Sequence, residues 1–202
     1  MIDSFVAWAV AQKTLAGQNK SGDGYLVKRF GNCALIAVVD GLGHGEEAAV
    51  ATKIAVDQLQ ANPHDNVISL LERIHKALRK TRGVVMSVAL VNDLDATATW
   101  TGIGNVEGLF VRANPDIQPQ KEFLLTRAGI VGGQLPALRP SIMPIMPGDT
   151  IAFATDGILT GFAEEVNSHD APSEIAATII AKHAKGSDDA LVLVARYLGH
   201  HL

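Results

Sequence analysis

Apolar residues along this chain switch between two periods, and the switches mark out its elements. The first forty residues carry three runs of strand character, at 5–13, 25–30 and 33–39. Gly31 and Asn32, between the last two, are a hairpin turn signal of the reversed kind. From 45 to 60 the period lengthens, with Ala48, Ala51, Ala55 and Leu59 at the spacing of one helix face. Asp65 is placed to cap a second helix whose buried stripe is Val67, Leu70, Ile74 and Leu78, and Gly83 is expected to end it. The period then returns to two. Residues 84–91 read as a strand closed by the turn residues Asn92 and Asp93, and "ATATWTGIG" sets Thr97, Thr99 and Thr101 against Ala98 and Trp100. Residues 106–112 and 122–126 read as further strands of a meander, 150–154 as another, and 191–197 as the closing strand. A third helix is expected over 172–183, with Pro172 in its first turn, where a missing N–H costs nothing.

Two blocks of strands with a helix pair between them, and no regular β-α-β alternation, predict an α+β domain on a pair of antiparallel sheets. A length of 202 residues suits one domain over 1–202, since no linker-like run or internal repeat divides it. Lys and Arg number 17 against 21 Asp and Glu, a net charge of −4, so neither nucleic acid nor a membrane surface is expected as a partner. The basic stretch at 75–82 reads as the solvated end of a helix. The single cysteine, Cys33, rules out an internal disulfide and fits a reducing compartment; in its apolar run it reads as a small core residue. The amino terminus has no basic start and too short an apolar stretch for a signal peptide or membrane span, so a cytoplasmic location is expected. His200 and His201 make no ligand pattern with a third His or Cys.

The candidate chemistry lies where apolar runs end. Asp40 closes "LIAVVDGLGHG", Asp156 closes "TIAFATDGI", Asp188 and Asp189 open "DDALVLVAR", and Asp23 opens an earlier run in "SGDGY". Each is a carboxylate at the point where a buried strand leaves or enters the sheet. Several such groups at one rim repel one another unless a cation sits among them, and hard divalent ions take oxygen ligands. Against this, Asp-Gly is a common turn dipeptide, and on the residues alone the two readings stand level.

Together, "SGDGY", "VVDGLGHGEEAA", "ATDGI" and "SDDALVLVAR" resemble the metal-dependent Ser/Thr protein phosphatases of the phosphatase-2C type, in particular their SpoIIE-like bacterial branch and its short RsbX-like members. The likeness runs from about residue 20 to 197 and extends to "GIGN" and to the Gly-rich stretch at 128–136. It implies a four-layer α-β-β-α sandwich with two Mn²⁺ or Mg²⁺ ions at one end of the sheets. By motif, Asp40 bridges both ions, the Gly41 carbonyl joins one, Asp156 and Asp188 complete the other, and Asp23 serves the second through water. Asp189 is expected to orient Asp188. The implied activity is hydrolysis of phosphoserine or phosphothreonine on a small regulatory protein of bacterial partner-switching or stress signalling, by a metal-activated water, in a monomer.

Departures from the family pattern are Ala190 and Leu191 after the acidic pair, Glu107 after "GN", and no arginine near Asp23, where Lys20 is the nearest cation. His44, in the glycine loop, either gives a proton to the leaving oxygen or merely caps the following helix or faces solvent. The 128–136 stretch is expected at the rim of the substrate groove. Two rivals remain. One is a dinucleotide site on "GLGHGE", which Glu46 disfavours by facing a pyrophosphate. The other is a phosphatase-like regulatory module that has lost catalysis.

Overall fold

A computed structural model describes residues 5–199; the first four residues, His200, His201 and Leu202 lie outside the described residues. The strands are β1 (Val6–Lys13), β2 (Asp23–Phe30), β3 (Cys33–Gly41), β4 (Val84–Asn92), β5 (Thr97–Ile103), β6 (Glu107–Val111), β7 (Lys121–Leu124), β8 (Ser141–Pro144), β9 (Thr150–Ala154) and β10 (Ala190–Tyr197). The helices are α1 (Glu46–Ala61), α2 (Val67–Leu78) and α3 (Pro172–His183). The strands form two antiparallel sheets, ordered β1-β10-β9-β6-β7 and β2-β3-β4-β5-β8.

Alternation along β3 explains the layering. Ala34, Ile36 and Val38 enter the core between the sheets, with Phe110, Phe153, Leu191 and Leu193 from the opposite sheet. Leu35, Ala37 and Val39 point the other way, into a second core under α1 and α2 that includes Ala51, Ala55, Leu59, Leu70 and Ile74. β10 repeats the scheme: Val192 and Val194 pack under Ile175 and Ile179 of α3. Strands buried on both faces read as continuous apolar runs, as these do. The result is the expected α-β-β-α sandwich. No helix among the described residues is long and apolar enough to cross a membrane.

Several expectations need correction. The meander breaks after β5: the chain crosses to the other sheet for β6 and β7, the latter at Lys121–Leu124 rather than 122–126, and β5 pairs instead with β8, a short strand that periodicity does not reveal. Its four residues, three of them exposed, are too few to show a period. The cap of α2 is Asn66, whose side chain accepts from the Ser69 amide at 3.0 Å; Asp65 pairs with Arg73. α2 ends at Leu78, before Gly83, whose positive φ of 83° serves the entry to β4. The first hairpin does turn on Gly31 and Asn32 as expected, with the positive φ, 51°, on Gly31 as in a type II′ turn. Cys33, at the strand's first position, is half-buried rather than a core residue. The basic stretch is exposed in part, but His75 Nδ1 accepts from the Gly132 amide at 3.0 Å and so holds the 128–136 stretch.

The cap assignment is testable in urea melts. Asn66→Ala should cost about 1 kcal/mol, the usual loss for an N-cap. Asp65→Ala removes only an exposed ion pair and should cost a few tenths of a kcal/mol. A larger loss for Asp65→Ala would return the cap to that residue.

Candidate metal centre

Strand parity brings the acidic residues together. Tyr25 and Val27 of β2 and Ile36 and Val38 of β3 face the inter-sheet core, so Asp23 and Asp40 continue those series at the strand ends, where the register pairs them directly. From the opposite sheet, Ile151 and Phe153 lead inward to Thr155, with Asp156 next; Leu193 and Leu191 lead back to Asp189, with Asp188 before it. Asp40, Leu42, Gly43, His44, Asn105, Asp156 and Asp188 line a cleft of about 150 Å³ at this end of the sandwich. Asp23 and Asp189 are buried behind it.

The supporting bonds divide the carboxylates by task. Asp189 Oδ1 accepts from the Leu15 amide at 2.8 Å and Oδ2 from the Gly22 amide at 2.7 Å, while its own amide donates to Asp188 Oδ1 at 2.8 Å. Its backbone amide thus holds Asp188, and its carboxylate ties the start of β2 to the start of β10. Asp23 Oδ2 accepts from the Thr155 hydroxyl at 2.8 Å, and Asp156 Oδ2 from Asn105 Nδ2 at 2.8 Å. Lys185 Nζ donates to the Asp156 carbonyl. The Asp40 carboxyl receives no hydrogen bond among the described residues.

Electrostatics follow from that geometry. Burial, then Asp23, Asp156, Asp188 and Asp189, push the Asp40 carboxyl from its ordinary 3.8 to about 8. Asp23 rises to about 7, again chiefly through burial and with Asp189, Asp156 and Asp188 adding, against the lowering effect of Thr155. Burial and Asp188 raise Asp156, with Lys185 and Asn105 opposing. A set of oxygen donors this short of compensating charge fits a hard divalent cation. No three His, Cys, Asp or Glu side chains among the described residues cluster closely enough to form a ready ligand cage. The placement and charge of the donors carry more weight, because Mg²⁺ keeps several waters and binds through few direct carboxylates.

Two glycine roles differ from expectation. Gly43 and Gly45, with φ of 91° and 74°, do make the turn, but Gly41 serves close packing: a Cβ there would lie 2.3 Å from the Ala48 carbonyl oxygen of α1. Gly41 N–H donates to the Gly22 carbonyl at 3.0 Å, yet the Gly22 amide turns to Asp189. The reciprocal bond to the Gly41 carbonyl is not made, which leaves that oxygen outside the ladder. Gly157 has a packing role too, since a Cβ would meet the Asp189 carbonyl oxygen at 1.9 Å. "TDG" and "SDD" are thus one packed unit, closed by Leu191 N–H to Thr155 Oγ1 at 2.9 Å.

His44 is exposed at the lip of the cleft, and α1 has no side-chain cap, so the capping role is set aside. Lys20 is committed to Glu46 at 2.6 Å. Glu107 lies on the outer face of β6 and does not line the cleft. Thr155, Asn105 and Lys185 are supporting residues that the sequence motifs alone do not single out. Parity before Asp156 is a signal for Thr155, and the "GN" block points at Asn105; nothing near Lys185 marks it.

This sandwich, with acidic residues from both sheets at one end, is that of the phosphatase-2C class. The chain belongs to the SpoIIE family: the family model for stage II sporulation protein E matches residues 31–198. The phosphoserine phosphatase RsbX of Bacillus subtilis (strain 168) is 25% identical over 149 residues, 74% of this chain and 73% of RsbX. A solved structure from work on the bacterial stressosome, as a modular system adapted to control secondary messenger signalling, aligns with TM-score 0.86 and 27% identity over 95% of this chain and 99% of that one. RsbX solved in complex with magnesium aligns with TM-score 0.85 and 20% identity over 95% and 94%.

The raised carboxyls predict a pH dependence for the metal-free protein. Between the ordinary value of 3.8 and the folded values of about 7 and 8, the folded state holds more protons than the unfolded one. Stability should therefore fall as pH rises through that interval and level off above it. Asp40→Asn removes one share, so in chelator the variant should melt above wild type near pH 8, with the gap closing near pH 4. Relief of one pKa unit is worth about 1.4 kcal/mol. A variant melting well below wild type near pH 8 would make the carboxylate structural.

Proposed function

We propose that residues 1–202 act as one phosphatase domain, a cytoplasmic monomer that hydrolyses phosphoserine or phosphothreonine on a small regulatory protein of bacterial partner-switching or stress signalling. The observation that carries this is Asp40: half-buried, opposite Asp23, facing Asp156 and Asp188, and pushed to about 8 by burial and then by those carboxylates. The substrate class rests on the relatives, a phosphoserine phosphatase and a structure from work on the bacterial stressosome.

In this reading Asp40, Asp156, Asp188, Asp23 and the Gly41 carbonyl would hold two Mn²⁺ or Mg²⁺ ions. Bound there, such ions supply the Lewis acidity that makes water nucleophilic near neutral pH and offsets charge on the phosphoryl oxygens. The chain's own residues then fix positions: Asn105 orients Asp156, Thr155 holds Asp23, and Asp189 sets Asp188 while releasing the Gly41 carbonyl. His44, exposed in the cleft, is the side chain available to protonate a leaving seryl or threonyl oxygen. The 128–136 stretch borders this end through Gly104 N–H to the Arg127 carbonyl at 2.8 Å and the pairing of Val131 with Val84, which supports a rim role. All the principal acidic positions are filled, which favours a catalyst over an inactive module.

The test is turnover of p-nitrophenyl phosphate after exhaustive chelation. Activity should vanish, return with Mn²⁺ or Mg²⁺ and return far less with Ca²⁺, whose longer, more flexible coordination suits the site poorly. Asp156→Asn should lower restored turnover by about 100-fold or more, the scale of losing a group that acts on the transition state. Full activity in excess chelator would overturn the proposal.

A further inference from the structure

The two sheets are covered unequally. Strands lie about 4.8 Å apart, so five of them span roughly 19 Å, whereas one helix with its side chains covers about 10–12 Å. α1 and α2 share the outer face of one sheet, but α3 serves the other and packs on β1 and β10. Beyond α3, the outer face of β6 is covered by the 158–166 segment with its short 3₁₀ helix at Phe162–Glu164, under which Leu109 and Val111 are buried, while Glu107 and Phe123 at the margin of that cover stay open. A groove of about 420 Å³ opens there, its lining including Glu107, Phe123, Leu125, Thr126 and Thr160.

Its walls are unusual for a surface. Leu125 is 88% exposed and Phe123 52%, the latter standing edge-on to buried Phe162 at 6.3 Å, and Leu159 beside Thr160 is also exposed. β7 is the edge strand of its sheet. The Glu107 side chain makes no ion pair or hydrogen bond among the described residues, and no cationic side chain lines the groove. Lys121 of β7 is turned to the Ala163 carbonyl at 2.6 Å. The segments that build the groove also build the cleft: Asn105, which holds Asp156, precedes Glu107, and Asp156 itself precedes Thr160.

We propose that this groove seats the stretch of the substrate protein that flanks its phosphorylated residue, and that it selects an apolar side chain next to a Lys or Arg. The apolar group packs on Phe123 and Leu125, and the cation meets Glu107. The two segments it shares with the cleft, 105–107 and 156–160, commit the groove to the substrate, and its lone acid sets the sign of the partner's charge. The inference rests on the phosphatase reading and adds the specificity that a cleft holding only phosphate lacks.

The experiment uses the full chain with Mn²⁺ and an array of phosphoserine peptides in a Ser-Gly background. Each carries a Leu-Lys pair at a different position before or after the phosphoserine, and p-nitrophenyl phosphate is the control. Wild type should hydrolyse peptides of one register about tenfold faster than the Ser-Gly parent, the scale expected for burying one leucine side chain. Leu125→Ser should erase that preference while p-nitrophenyl phosphate turnover stays within about twofold, as fits an exposed residue outside the cleft. Glu107→Lys should move the preference from Leu-Lys to Leu-Glu. Equal rates for all peptides with normal p-nitrophenyl phosphate turnover, or a preference that survives Leu125→Ser, would overturn the groove alone. Absence of p-nitrophenyl phosphate turnover in wild type would remove the phosphatase reading beneath it. A wild-type dimer that Leu125→Ser converts to monomer would assign the groove to a second copy and also overturn the proposal.

Discussion

Burial of several carboxylates together at one end of the sandwich, with the repulsion it brings, is the constraint around which the rest is arranged. Asp23, Asp40, Asp156 and Asp188 are delivered there by strands whose apolar residues are buried on both faces, so they cannot retreat without unpacking the core. The fold offsets part of the cost with neutral donors: Thr155 to Asp23, Asn105 to Asp156, and the Asp189 amide to Asp188. Asp40 receives none of these, and its carboxyl is pushed highest, to about 8. Binding energy for a cation is thus stored in the packing of the two sheets.

Asp189 links that electrostatic problem to the architecture. Its carboxylate accepts two amides from the β1–β2 connection, so the same residue joins the two sheets and diverts Gly22 from the Gly41 carbonyl. Close backbone contacts at Gly41 and Gly157 complete the junction, because any side chain at either would collide with Ala48 or Asp189. The glycines after the two aspartates therefore have packing reasons distinct from turn formation.

Much of this is legible in the amino-acid sequence. Continuous apolar runs mark β3, β4 and β10, and α3 is legible to the residue, because each has a strong local pattern and, for α3, a proline at its start. The acidic strand ends are legible for the same reason. Sheet membership is not: β5 and β6 are adjacent in sequence yet lie in different sheets, a choice made by long-range packing and by the turn at Gly104, φ 86°. Asn66 and Asp65 are equally good caps by residue type, and only the chain's path decides between them. Thr155, Asn105 and Lys185 act across pairs of segments distant in sequence, which no local period encodes.

On the proposed reading, these carboxylates would hold a pair of divalent cations with Asp40 common to both. Electron paramagnetic resonance of the chelated protein titrated with Mn²⁺ tests it most directly, since free Mn²⁺ is counted and a bridged pair a few ångströms apart is spin-coupled. The account predicts uptake of two equivalents with a coupled spectrum, and loss of the coupling in Asp40→Asn. Uptake of a single uncoupled ion by wild type, or an unchanged coupled pair in Asp40→Asn, would contradict it.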